Sequence, residues 1–178
     1  MSSQLNTINK PSLNACISLG SNQESASGTA LETLTLAIAE IERLSVAPIQ
    51  QSSFYLTEPV ECAPGTAEFI NAAVVIEVAD TCDPLSLLQS LHEIEAKFGR
   101  SRSGGVNAPR PLDLDLICIS GIEIKTSSLV LPHPRAHERL FVLMPLAEIN
   151  PRLQLAQGQP TISELIQGLP SRPWVKQL

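Results

Sequence analysis

The sequence lacks the segments that would place a protein in or across a membrane. Its longest apolar run, near Leu140–Ile149, is too short to span a bilayer and contains Pro145. The first thirteen residues contain no apolar stretch of the kind that a secretory signal peptide needs. We therefore expect a cytoplasmic protein without a membrane partner, with residues 1–13 as a disordered leader and residues 14–178 as a single domain.

Several motifs that carry metal or nucleophilic chemistry are also missing. The four cysteines have neither C-x-x-C spacing nor a pairing with histidine, which argues against a structural zinc site. No G-x-x-x-x-G-K-[ST] segment occurs, so a P-loop is excluded. No Ser-His-Asp or Cys-His set stands out as a candidate nucleophile.

Positive charge is scarce overall but concentrated in one stretch. The net charge of −6 disfavours a general nucleic-acid binder, whose affinity comes from neutralising phosphates. Between Ala96 and Leu112 there is no acidic residue, and there are four bases, namely Lys97, Arg100, Arg102 and Arg110. A local cationic patch on an acidic protein suits a small polyanion rather than a nucleic acid.

The spacing of apolar residues predicts an α+β fold. The elements follow the order β-α-β-β-α-β, then an extra hairpin strand and C-terminal helices; this is the ferredoxin-like pattern, with a mainly antiparallel sheet and helices on one face. Ser120-Gly121 predicts a turn that pairs the fourth strand with Ile122–Lys125. The predicted strands are Ala15–Leu19, Gln50–Thr57, Phe69–Val78 and Leu112–Ile119, and the longer helices are Ala30–Leu44, a helix from Asp83-Pro84 to Gly99, and Arg135–Glu148.

Two aspartates interrupt the last of these strands. Because side chains alternate along a strand, Asp113 and Asp115 project from one face, while the leucines between and beside them face the other. Mg²⁺ prefers oxygen ligands and is typically held by one or two carboxylates together with substrate phosphates. The alternative is an exposed strand face on which the aspartates form ion pairs with nearby arginines.

Other polar side chains lie at places suited to substrate contacts. Arg100 and Arg102 lie in the loop before the aspartate strand. A guanidinium group can bind two oxygens of one phosphate at once. His133 stands between two prolines near the predicted start of a helix, a position that favours anions. Asn71 lies on a predicted strand. Its side-chain amide can form hydrogen bonds either to the amide edge of a heterocycle or to neighbouring backbone groups.

Six sequence blocks, in this order, resemble the 6-hydroxymethyl-7,8-dihydropterin pyrophosphokinase family of folate biosynthesis. They are LGSN, SSFYLTEP, FINAAV, IEAKFGRSR, APRPLDLDLI and LPHPRAHERLFVLMPLAEI, and the similarity covers most of Asn14–Pro151. The resemblance implies transfer of diphosphate from ATP to the hydroxymethyl group of the pterin, with AMP leaving. It also implies a monomer whose partners are these two small molecules.

The resemblance further implies a role for particular residues. Asp113 and Asp115 would hold two Mg²⁺ ions that bridge the ATP phosphates, and Arg100 and Arg102 would join them as catalytic residues, with Arg102 closing the loop over ATP. The implied ATP contacts are Glu95, Arg100, Arg110, His133 and Arg139. The implied pterin contacts are Thr57, Val60, Phe69, Asn71 and Phe141.

The loop between Arg102 and Arg110 departs from the family pattern. It reads SGGVNAP, where many relatives carry an extra base and a tryptophan, and Gly104-Gly105 predicts a loop that orders on binding. Two other functions remain open at this point. One is a ferredoxin-like module that binds a nucleotide without turnover, and the other is a different Mg²⁺ phosphotransferase or phosphatase that uses the same aspartate pair.

Overall fold

A six-stranded antiparallel sheet forms the centre of the protein. The computed structural model describes residues 11–61, 64–100, 110–171 and 173–178. The strands are β1 (Ser12–Ser21), β2 (Gln50–Gln51), β3 (Tyr55–Thr57), β4 (Phe69–Ala79), β5 (Asp113–Ile119), β6 (Ile124–Lys125), β7 (Val130–Leu131) and β8 (Val175–Gln177). The sheet has the order β5-β1-β4-β3-β8, with β2 also paired to β4. Each of these strand pairs is antiparallel, and β1 begins within the predicted leader.

The helices begin at side chains that cap their first backbone N–H groups. Thr29 and Glu32 form a reciprocal capping box at the start of the first helix, and Asp83 accepts a hydrogen bond from the backbone N–H of Ser86 at the second. Among the described residues, no helix combines the length and the apolar character needed to cross a membrane. The helices are α1 (Ala30–Glu42), α2 (Pro84–Lys97), α3 (Leu140–Ile149) and α4 (Ile162–Gly168).

Helices cover both faces of the sheet. Leu34 of α1 and Leu91 of α2 belong to the core on one face, while Leu143 of α3 and Ile162 of α4 belong to a second core on the other. The ferredoxin-like α+β fold is confirmed by the strand order, but the prediction that all helices lie on one face is wrong. The second core exists because β1, β4 and β5 carry apolar side chains on this face too, such as Ala73.

A bulge in β5 changes which side chains face each core. Ile17 of β1 pairs with Leu116, but Cys16 pairs with Cys118, so Ile117 is an extra residue in β5. Ile117 and Cys118 consequently both face the α3 core, and the next residue of β5 returns to the core beneath α1 and α2.

Three local predictions differ from the structure. The extra hairpin strand is present, but β6 pairs with β7 and not with β5. The end of β5 forms only an isolated bridge, from Ile119 to Ile122. The predicted strand Gln50–Thr57 is split, because the Ser52 hydroxyl accepts the Ala73 N–H and donates to its neighbour's carbonyl. The third long helix begins at Leu140, after a 3₁₀ turn and an extended Arg139.

A hydrogen-bonded carboxylate fixes α3 against the edge of the sheet. Glu148 accepts hydrogen bonds from the Ser53 N–H at 2.9 Å, the Ser53 hydroxyl at 2.8 Å and the Tyr55 hydroxyl at 2.8 Å. Burial and the hydrogen bond to Glu148 raise the pKa of Tyr55 to about 12. The phenol therefore stays a donor at neutral pH, and α3 keeps a fixed position over β3 and β4.

Candidate active site

An open cleft lies on the α3 side of the sheet, at the end of β1 and the beginning of β4 and β5. It brings together the predicted metal pair, two predicted ATP-binding arginines and all of the predicted pterin-binding residues. The lining residues are Ser18, Gly20, Thr57, Glu58, Val60, Glu61, Phe69, Asn71, Arg110, Asp113, Asp115, Arg139 and Phe141.

Strand register places the polar groups of the cleft in a row. Gly20 of β1 lies between Asp113 of β5 and Asn71 of β4, and Ser18 lies beside Asp115. Leu114 and Leu116 point to the opposite core, which confirms the predicted alternation along β5. Both carboxylates therefore project from one sheet face toward the same open space. Because Gly20 has no side chain, nothing from β1 stands between the Asp113 carboxylate and the Asn71 amide.

Asp113 accepts hydrogen bonds from two arginines. The Arg110 Nη2 atom lies 3.0 Å from Asp113 Oδ2, and Arg100 Nη1 bonds Asp113 Oδ1. The alternative role considered for the aspartate pair, ion pairing with arginines, is thus present at Asp113. Arg110 lines the cleft, and Arg100 is joined to it through Asp113, so the Arg110 guanidinium is within reach of an anion bound there.

Asp115 has a weaker charge partner than Asp113. Arg139 Nη1 lies 3.8 Å from its Oδ2, and the guanidinium also lies over the Phe141 ring, 5.5 Å from the ring centroid. Burial, and then the charge of Asp113, raise the pKa of Asp115 above its usual range, although His133, Arg139 and Arg110 act in the opposite direction. Two neighbouring carboxylates that repel each other in this way suit a divalent cation.

A buried amide faces the cleft from β4. Asn71 is 3% exposed, and its Nδ2 donates to the Thr57 hydroxyl oxygen at 2.8 Å. Its Oδ1 lies next to Gly20, where an added Cβ would be only 2.8 Å away. The amide is consequently held in one orientation from both sides, and Phe69 and Phe141 add aromatic surface to the same cleft.

We expect Gly20→Ala to weaken pterin binding more than nucleotide binding. The new methyl group would displace the Asn71 amide, because a contact of 2.8 Å to Oδ1 is shorter than van der Waals contact allows. A rise of about tenfold in the KM for the pterin, with the KM for ATP nearly unchanged, is the expected result. Steady-state kinetics with each substrate varied in turn checks this, and equal changes in both constants would contradict it.

His133 is anchored beside the cleft by its backbone. Its N–H donates to the carbonyl of Ile117, the bulge residue, at 2.7 Å, and its Nδ1 accepts from the Arg135 N–H at 3.3 Å. Burial lowers the pKa of His133, while the charge of Asp115 raises it in part and Arg139 lowers it further. A neutral imidazole with Nδ1 already accepting leaves Nε2–H as a donor.

Two further predicted site residues are Glu95 and Arg102. Glu95, predicted to contact ATP, is 1% exposed and bonds Arg100 and the backbone N–H of Leu114. Arg102 lies outside the described residues, as do Gly104 and Gly105. The assignments of Glu95 and Arg102 to catalysis or ATP binding stay predictions.

Sequence reasoning missed two contacts around the cleft. Asn22, in the LGSN block, accepts the Arg110 N–H through Oδ1 at 3.1 Å and donates its own N–H to the Arg110 carbonyl at 3.4 Å. Arg135 donates to Glu61, which lines the cleft, at 2.8 Å. The LGSN block indicated a turn at Asn22. A turn motif does not predict that Asn22 bonds Arg110, which lies 88 residues later in the chain.

Comparisons with known proteins identify the family. A model of the family described as 7,8-dihydro-6-hydroxymethylpterin-pyrophosphokinase matches residues 16–151. The 2-amino-4-hydroxy-6-hydroxymethyldihydropteridine pyrophosphokinase of Bacillus subtilis is 40% identical over 136 residues, which cover 76% of this chain and 77% of that protein. The protein of the same name from Haemophilus influenzae is 34% identical over 165 residues, covering 92% and 98%.

A solved structure shares the fold. The Plasmodium falciparum HPPK-DHPS structure with pterin and p-hydroxybenzoate aligns with a TM-score of 0.64 and 14% identity. The alignment covers 91% of this chain and 44% of that one, so the chain spans less than half the length of that protein. At this identity the likeness concerns the fold alone.

Proposed function

The chain belongs to the 7,8-dihydro-6-hydroxymethylpterin-pyrophosphokinase family and is an ATP-dependent diphosphokinase of folate synthesis, and from this premise we propose how its cleft performs the reaction. Diphosphate passes from ATP to the hydroxymethyl group of 6-hydroxymethyl-7,8-dihydropterin, and AMP is released. The observation that carries the proposal is the row of Asp113, Gly20 and Asn71 on one sheet face, because it sets a carboxylate suited to a metal ion beside an amide suited to a heterocycle.

The nucleotide side of the cleft is the cationic side. Arg110 and Arg139 line it, and Arg100 reaches it through Asp113. Within the described residues, Arg110 Nε is buried without an acceptor, and a phosphate oxygen would supply one. The neutral imidazole of His133 adds an N–H donor beside Asp115. We assign the triphosphate to this group, with Arg102 joining it as the sequence predicts.

The aspartate pair fits magnesium. The two carboxylates face the same space, and a divalent charge offsets both the burial and the charge of Asp113 that raise the pKa of Asp115. We propose that Asp113 and Asp115 hold two Mg²⁺ ions together with phosphate oxygens of ATP. When bound, these ions would neutralise phosphate charge and make the β-phosphorus more electrophilic. Asp113 must then exchange its bonds to Arg100 and Arg110 for the cation, which frees both guanidinium groups for phosphate.

The pterin side of the cleft is the aromatic and amide side. We assign the rings to the space between Phe69 and Phe141, where an aromatic ligand can stack. The Asn71 amide, oriented by Thr57, can pair with the amide edge of the heterocycle. Backbone groups of Thr57 and Val60 would complete the recognition of that edge. The hydroxymethyl group of the pterin then points toward Asp113 and Asp115.

The chain's residues contribute mainly by positioning and by charge. The hydroxymethyl oxygen forms a bond to the β-phosphorus, the bond from that phosphorus to the oxygen bridging the α-phosphate breaks, and AMP leaves with the electron pair. The hydroxyl proton passes to solvent water as the new ester forms. Arg100, Arg110 and Arg139 stabilise the negative charge on the transferring group, and the fixed amide of Asn71 keeps the attacking oxygen in line.

An assay for AMP tests this function. Wild-type protein with ATP, Mg²⁺ and 6-hydroxymethyl-7,8-dihydropterin should form AMP and the pterin diphosphate in equal amounts, and AMP should not form when the pterin is omitted. A nucleotide-binding module would form no AMP under either condition. A phosphatase would release orthophosphate without the pterin. Either of these results would contradict the proposal.

We propose further that the protein acts as a monomer in the cytoplasm and binds no nucleic acid. The resemblance of the six sequence blocks to this family supports the first point. The net charge of −6 supports the last, because nucleic-acid affinity depends on neutralised phosphates. Light scattering on the purified protein checks the monomer, and a titration with labelled DNA and RNA at low salt checks the absence of binding.

A further inference from the structure

We propose that Glu95 is a positioning residue that keeps Arg100 in place when Asp113 takes up the metal, and that it does not contact the nucleotide. This inference rests on the function proposed above. Glu95 lies in the last turn of α2 and is 1% exposed. A carboxylate with so little exposed surface presents almost none to a bound nucleotide.

A single oxygen of Glu95 bonds two functional parts of the site. Its Oε1 accepts the Leu114 N–H at 2.8 Å and also accepts a hydrogen bond from Arg100 Nη1. Leu114 lies between Asp113 and Asp115, and β5 lies at the edge of the described sheet. An edge strand needs acceptors for its outward N–H groups, and Glu95 provides one at the residue between the two aspartates.

Arg100 is shared between two carboxylates. The same Nη1 atom bonds Glu95 Oε1 and Asp113 Oδ1. If Asp113 binds the cation, Arg100 loses one of these partners, and a partly buried guanidinium needs a charged partner to stay in place. Glu95 keeps the second bond, so Arg100 stays beside the phosphates while Asp113 changes its ligand.

The charge of Glu95 also weakens the competition between Arg100 and the metal. Two carboxylates divide the attraction of one guanidinium, so Arg100 binds Asp113 less firmly than it would alone. Without the charge of Glu95, Arg100 would depend on Asp113 for its only carboxylate within this group. The metal would then have to displace a stronger ion pair.

The variant Glu95→Gln separates charge from shape. Glutamine has nearly the same volume, and its Oε1 can still accept both hydrogen bonds, whereas the negative charge is lost. Ligand-free Glu95→Gln protein should therefore unfold cooperatively, as the wild type does. Glu93→Gln is the matched control, because Glu93 lies in the same helix and is exposed.

Calorimetry with a non-hydrolysable ATP analogue gives the main readout. With Mg²⁺ present, Glu95→Gln should raise the Kd for the analogue by on the order of tenfold to a hundredfold, as outer-shell partners of metal sites do. In EDTA the Kd should change by less than about threefold. Turnover by Glu95→Gln should show a lower kcat with a nearly unchanged KM for the pterin. Glu93→Gln should match the wild type throughout.

Three results would overturn the inference. One is a wild-type Kd for the magnesium complex in Glu95→Gln. Another is an equal loss in EDTA, which would indicate direct contact with the nucleotide. The third needs no variant: in a crystal structure with Mg²⁺ and the analogue, Arg100 would have left Glu95, or Glu95 would touch the nucleotide. If wild-type protein bound the analogue but formed no AMP, the proposed function would be contradicted. The comparison of Kd values between Glu95→Gln and wild type would still test the role of Glu95.

Discussion

Replacing Asp115 with asparagine is expected to abolish diphosphate transfer, with a loss in kcat on the order of a thousandfold or more. Asparagine keeps the size of the side chain but cannot supply the charge that a divalent cation needs. The leucines of β5 face the opposite core and are unaffected, so the fold should survive. The AMP assay at saturating ATP, pterin and Mg²⁺ measures the loss.

The same variant should be more stable than the wild type when no ligand is present. Burial and the charge of Asp113 raise the pKa of Asp115, so its ionised form is less favourable in the folded state than in the unfolded state. The wild type therefore loses stability as the pH rises from the unfolded pKa, about 3.9, through the raised folded value. The gain from Asp115→Asn should be present at neutral pH and should disappear below about pH 3.9.

A control variant and two measurements make this result decisive. Asp80→Asn removes a carboxylate at an exposed turn and should change neither turnover nor stability. Urea unfolding at several pH values reports stability, and the AMP assay reports turnover. Normal turnover by Asp115→Asn, or a large loss of stability at neutral pH, would show that this carboxylate serves the core and not the metal.

Replacing Asn71 with alanine should lower kcat/KM for the pterin by about a hundredfold. The amide is 3% exposed, is oriented by Thr57 and faces the cleft, so it can pair with a heterocycle at no cost of reorganisation. Its loss leaves both the bound heterocycle and the Thr57 hydroxyl without a partner, and such unpaired groups are costly. The KM for ATP should stay within about threefold, because the nucleotide side of the cleft is unchanged.

Steady-state kinetics and direct binding check this second result. Titration of the pterin in the presence of a non-hydrolysable ATP analogue gives its Kd without turnover. Asn14→Ala, an exposed asparagine in β1, is the matched control. A hundredfold loss in nucleotide affinity with unchanged pterin binding would reverse the assignment of the two sides of the cleft.

The aspartate strand could be predicted from the sequence because its pattern is strict. Leucine and aspartate alternate from Leu112 to Leu116, and one face of such a strand must be buried. The caps at Thr29 and Asp83 follow equally local rules, so the starts of α1 and α2 could also be placed. What the alternation cannot show is the bulge at Ile117, since that depends on pairing with β1.

Other features escaped prediction because they depend on distant partners. β8 has three residues and forms by pairing with β3, more than 100 positions earlier in the chain. The predicted helix from Arg135 begins late because the chain first makes a 3₁₀ turn at Ala136–Glu138 and Arg139 is then extended. Glu95 has the charge expected of a ligand-binding residue, and only the structure shows that it faces Leu114.

The bulge in β5 has a consequence for chains of different length. Insertion or deletion of one residue at Ile117–Cys118 alters local pairing there, since that position already accommodates an unmatched residue. The same change between Asp113 and Leu116 would turn a carboxylate inward among the leucines. Relatives that differ in length within this strand should therefore retain activity only when the gap falls after Leu116, so the position of a gap can separate active from inactive members.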